Sequence, residues 1–132
     1  MTLNSASNLN QFQYTISGID GLTVAVTPLF TTLAGAGNFF VSDITVILEN
    51  VAGVPTLGSF ISLGYNNPTY DNVDSGDFFN AINVNQYILA NGQPGLPFTP
   101  IPPSTTVSIN VQIPEAGATT YDLKVLIFGN YI

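Results

Sequence analysis

A chain of 132 residues fits a single domain large enough to bury a core without metals, and with no Cys it holds no disulfides. Only 7% of its residues are charged: Lys124 is the sole basic residue, and eight Asp and Glu set a net charge of -7. That charge excludes phosphate neutralisation, and with it direct nucleic-acid binding and attraction to anionic lipid, while the lack of His and Cys excludes the usual nucleophile–base pairs.

Residues 1–11 are polar, with no basic stretch leading into an apolar run, so no secretory signal is expected and the segment reads as an arm before a domain at 12–132. No apolar run reaches the roughly 18 residues of a membrane-crossing helix. Phe12, Tyr14 and Ile16 alternate with Gln13 and Thr15, the period of a strand with one face in a core. Residues 17–21 read as a hairpin connection into a second strand, where Leu22, Val24 and Val26 alternate with Thr23 and Thr27. Residues 33–38, rich in Gly and Ala, read as a flexible loop.

Ile44, Val46 and Leu48 alternate with Asp43, Thr45 and Glu49, and residues 51–55 read as the link to a fourth strand. Between 78 and 89 helical and strand patterns compete. Residues 91–103 form a Pro-rich loop, because Pro cannot donate to a ladder. Val107, Ile109, Val111 and Ile113 then point one way and Ser108, Asn110 and Gln112 the other. Residues 114–118 turn the chain into a last strand at about 120–132. Tyr121, Leu123, Val125 and Ile127 form one face of it. Asp122 and Lys124 start the other face, but Leu126 and Phe128 continue it. A strand apolar on both faces is central in its sheet, or covered by another subunit. These seven or eight short strands predict an all-β, antiparallel β-sandwich of jelly-roll type.

Little in the chain offers chemistry. Lys124 reads as a strand-surface residue. Asp71, Asp74 and Asp77 form the densest acidic stretch, and oxygen-rich loops can hold calcium. Their spacing is not that of an EF-hand loop and no Glu follows, so no cofactor or metal is expected and a solvated turn is the simpler reading. Tyr65, Asn66 and Tyr70 lie in a segment that could stack on a sugar and bond its hydroxyls, or equally form a structured turn.

Two segments carry a resemblance. One is Leu63-Gly64-Tyr65-Asn66-Asn67-Pro68-Thr69-Tyr70-Asp71-Asn72. The other is the closing Thr119-Thr120-Tyr121-Asp122-Leu123-Lys124-Val125-Leu126-Ile127-Phe128-Gly129-Asn130-Tyr131-Ile132. From about Asp43 to Ile132 the chain resembles small structural proteins of tailed phages, notably phages of cyanobacteria. The resemblance implies a non-enzymatic capsid cement or decoration protein that sits on the outer capsid surface of the virion as a homotrimer. Its partners would be copies of itself and the major capsid protein, and it would be made in the host cytoplasm. On that reading Leu126 and Phe128 form the subunit interface, and the arm, through Leu3, Asn4 and Leu9, meets the capsid. The alternative is a carbohydrate-binding module of a tail fibre or lectin-like protein, using Tyr65, Asn66 and Tyr70. A single-jelly-roll major capsid protein is a further reading, for which the chain is short and lacks a basic arm.

Overall fold

The computed structural model describes residues 11–89 and 100–132. These form eight strands: β1 (Gln11–Asp20), β2 (Ala25–Thr31), β3 (Phe39–Leu57), β4 (Ser59–Gly64), β5 (Asp74–Phe79), β6 (Tyr87–Leu89), β7 (Thr106–Ile113) and β8 (Ala116–Tyr131). Among the described residues no helix is long and apolar enough to cross a membrane.

The strands make two four-stranded antiparallel sheets, ordered β1-β8-β3-β6 and β2-β7-β4-β5. The first strand pairs with the last, the second with the seventh, the third with the sixth and the fourth with the fifth. The chain is thus one long hairpin. It is rolled up by the further pairings of β8 with β3 and of β7 with β4. This order puts the β1–β2, β3–β4, β5–β6 and β7–β8 connections at one end. The β2–β3 and β4–β5 connections lie at the other, where β1 and β7 also begin and β6 and β8 end.

The core lies between the sheets. Phe39, Ile44, Val46, Leu48, Tyr121, Leu123, Val125 and Ile127 fill it from the first sheet, and Ile61, Leu63, Phe79, Val107, Ile109 and Val111 from the second. The expected inward faces of β3, β7 and β8 are these residues, with one exception. Ile113 pairs with Phe60 of β4 beyond a register shift in that ladder, and is exposed.

Four expectations need correction. Residues 17–20 are not a turn: β1 continues through them, with Gly18 at a left-handed φ of 73° where the ladder with β8 slips a register. β1 and β2 lie in different sheets and form no hairpin. β2 begins at Ala25, and Val24 and Val26 face solvent while Leu29 and Phe30 are buried. Alternation shows which residues share a face, not which face meets the core. Residues 51–55 are not a link, because β3 runs on to Leu57 against β8 and absorbs its Gly and Pro as ladder irregularities. The ambiguous segment 78–89 contributes strand at both ends, in β5 and β6.

Candidate assembly surfaces

β8 is central in the first sheet, and its outward row carries Lys124, Leu126 and Phe128, all half-buried. Leu126 stands between Thr15 of β1 and Thr45 of β3. Phe128 stands between Gln13 and Asp43, and Lys124 lies opposite Ile47. The flanking strands shade these side chains without closing over them. Phe128 also lines a shallow depression of about 400 Å³ with Phe12, Gln13, Ser42, Gly129 and Asn130.

Beneath that depression an aromatic cluster holds the start of β1. The Tyr14 ring stacks on Phe30 at 4.1 Å, and Phe39 and Phe12 lie 4.8 and 5.0 Å from the Tyr131 ring. The Tyr14 and Tyr131 hydroxyls meet at 2.7 Å, and the Leu33 N–H donates to Tyr131 at 2.9 Å. Burial, and then the bond to Tyr131, pushes the Tyr14 phenol well above its ordinary pKa. Gly129 completes the packing: a Cβ there would sit 2.6 Å from the Phe39 ring. The arm residues Leu3, Asn4 and Leu9 lie outside the described residues.

The β4–β5 connection folds back over the outward face of the second sheet. The Asn110 amide and the Ser62 hydroxyl donate to the Thr69 carbonyl at 3.0 and 3.2 Å. Asn66 is the centre of this loop. Its side-chain oxygen accepts from the Asp71 and Asn72 N–H groups at 2.8 and 3.1 Å, and its amide donates to the Asp71 carboxylate at 2.7 Å. That bond, with one from Thr69, holds the Asp71 carboxyl below the usual carboxylate range. Asn72 takes the Tyr65 N–H at 2.8 Å, and Tyr65 packs on the core while Tyr70 is half-buried. Both ends of the Asn66 amide are therefore occupied within the loop. Asp74 is buried in β5, opposite Leu63. The Asp77 side chain lies outside what is described. Among the described residues, no three His, Cys, Asp or Glu converge on a metal position.

The opposite end has an organiser that sequence reasoning missed. Glu115, between β7 and β8, is buried. Its two carboxylate oxygens accept from the Thr56 N–H at 2.9 Å and the Ala118 N–H at 3.0 Å. Its own N–H donates to the Gly21 carbonyl at 2.9 Å, and the Ser59 hydroxyl donates to the same carbonyl at 2.8 Å. Glu115 thereby ties the β7–β8 connection to the end of β3 and the start of β8 through its side chain, and to the β1–β2 connection through its backbone. The available signal was a lone acid inside an apolar turn.

These features define an antiparallel, eight-stranded sandwich whose two sheets exchange strands at every connection of one end. Three solved structures share the fold. The chain is similar to one in the capsid asymmetric unit of cyanophage Pam1, with 14% identity, a TM-score of 0.59, and 92% of this chain and 84% of that chain covered. It is similar to a chain of the acid-stable capsid of Helicobacter pylori bacteriophage KHP30, with 12% identity, a TM-score of 0.57 and coverage of 90% and 87%. It is similar also to a chain of the capsid of Ralstonia phage GP4, with 13% identity, a TM-score of 0.55 and coverage of 92% and 83%. No family model and no curated protein matches the sequence.

Proposed function

We propose that the chain is a non-enzymatic structural protein of a phage virion, a cement or decoration protein that binds the outer capsid surface as a homotrimer. One observation carries the reading: over nine-tenths of its length the chain shares a fold with chains of similar size from three phage capsids. The strand order, one hairpin rolled into two exchanged sheets, is read here as a jelly roll. The absence of His and Cys and the contact-type faces support a role in binding. Leu126 and Phe128, on the half-shaded row of β8, are assigned to the subunit interface. The arm through Leu3, Asn4 and Leu9 is assigned to the major capsid protein.

Such a protein stabilises by mass action. Binding only the assembled shell favours that shell by RT ln(1 + [L]/Kd) per site. Three linked copies add avidity without new contacts. The test is to add purified protein to capsids of its phage assembled without it. Saturable co-sedimentation and a higher capsid melting temperature are expected. Failure to co-sediment at micromolar protein overturns the reading.

A further inference from the structure

The first sheet carries the chain's sole cation, Lys124, and four of its eight acids: Asp20, Asp43, Glu49 and Asp122. Three of those carboxylates are committed within the chain. Asp20 accepts from the Leu22 N–H and the Thr23 hydroxyl, both at 2.8 Å. Glu49 of β3 reaches across β8 and accepts from the Gly18 N–H of β1. Asp122 accepts from the Asn50 amide at 3.2 Å. The Asp43 carboxylate and the Lys124 ammonium make no hydrogen bond or ion pair with any described residue. The outward face of this sheet therefore holds one uncommitted charge of each sign.

Within one copy these two charges stand too far apart to meet. Asp43 is the ladder neighbour of Phe128, while Lys124 lies four residues back along β8, roughly 13 Å at the rise of a strand. Leu126 and Phe128 stand between them, and all four residues are half-buried. The order along the face is thus cation, apolar pair, anion. Any partner that closes over Leu126 and Phe128 takes further water from both charges. That step is costly for an ion left without a counter-ion.

We infer that, in the subunit contact assigned to Leu126 and Phe128, the Lys124 ammonium of one copy pairs with the Asp43 carboxylate of the next. Charge complementarity selects a second copy as the occupant. Each copy brings both halves of the pair, one to one, and the other three carboxylates of the sheet already have donors within the chain. In a ring of three, each copy gives Lys124 to one neighbour and receives the other neighbour's Lys124 at Asp43. The head-to-tail pairing then closes with neither charge left over. The apolar row supplies the hold, and the pair sets register and orientation. Enclosed beside that row, the pair is screened by salt much less than charges that face water. A partner of other chemistry would have to bring an anion for Lys124 and a cation for Asp43 at the same spacing.

The inference rests on the homotrimer proposed above, and the experiment separates the two. Light scattering on a sizing column is run over a dilution series for the unaltered protein, for Lys124→Asp, for Asp43→Lys and for the variant carrying both changes. Circular dichroism confirms that each is folded. The unaltered protein is expected at three times 14.0 kDa. Each single variant is expected to dissociate at a protein concentration roughly tenfold higher or more, and the double variant to return to within about threefold of the unaltered protein. Asp43→Lys makes each copy less negative, so a trimer governed by net charge alone would tighten, whereas loosening is expected here. Asp43→Asn keeps the shape of the side chain and is expected to loosen the trimer about threefold or more, which keeps the test open if a reversed charge prevents folding. A monomeric unaltered protein overturns the homotrimer and the inference together. A trimer whose dilution behaviour the single variants leave unchanged overturns the inference alone, as does a double variant no tighter than the single ones. So does a single variant that stays trimeric but no longer binds capsids, since the face then belongs to the capsid contact.

Discussion

Two buried polar side chains show how single residues fix this fold. Glu115 satisfies two backbone N–H groups on different segments. Removing it leaves those donors unpaired at about 1–3 kcal/mol. Glu115→Ala is expected to lower the urea midpoint accordingly, with an unchanged m-value. Tyr121, fully buried in the core, donates from one hydroxyl to the Phe79 and Ala81 carbonyls, each at 2.9 Å. Burial, and then the nearby Glu115 carboxylate, pushes this phenol from 10.0 up to about 12. A raised folded pKa means that the folded state keeps its proton when the unfolded chain has lost it. The stabilisation is fully present below pH 10 and is lost as pH rises through about 12. Stability measured by urea titration is expected to fall across that window. Tyr121→Phe is expected to flatten the fall and to cost about 1–3 kcal/mol at neutral pH, since two carbonyls lose their donor.

At the scale of elements, β8 connects the reading from sequence with the molecule. Its alternation gave the buried face and, through Leu126 and Phe128, its central place in a sheet. The clean patterns of β3 and β7 marked core residues for the same reason: a central strand with one wet face writes its burial into the sequence. β2 did not, because an edge strand's alternating Val and Thr name a face without naming its partner. The length of β3 was hidden as well, since Gly53 and Pro55 serve as ladder irregularities and not as stops. In the 65–72 segment the Asn, Asp and Tyr content announced a turn, but only the geometry shows Asn66 bonded at both ends. Glu115 had no periodic pattern to mark it. The assignment of Phe128 to a subunit contact makes its own prediction. Phe128→Asp places a carboxylate beside Asp43 on a half-shaded face, so the protein is expected to fold, by circular dichroism, and to sediment as a monomer.

For the whole molecule the governing quantity is charge. Subunits of -7 repel one another through water, and salt screens that repulsion within about 10 Å at 0.1 M. Apolar contact is not weakened by the same salt. Self-association is therefore expected to tighten as sodium chloride rises from about 10 to 150 mM, read as a lower dissociation concentration in light scattering. An assembly held by intersubunit ion pairs would loosen instead.

The pairing of the first strand with the last also determines when this protein can form. β8 holds both β1 and β3, and Gln11 finds its ladder partner only at Asn130. During synthesis β8 leaves the ribosome after every other described strand, so β1 and β3 lack the strand they share until it has emerged. A topology dominated by such distant pairings folds on the millisecond-to-second scale. The nascent chain must wait with its apolar faces uncovered, and a product released before β8 is made has two sheet edges and no strand to close them.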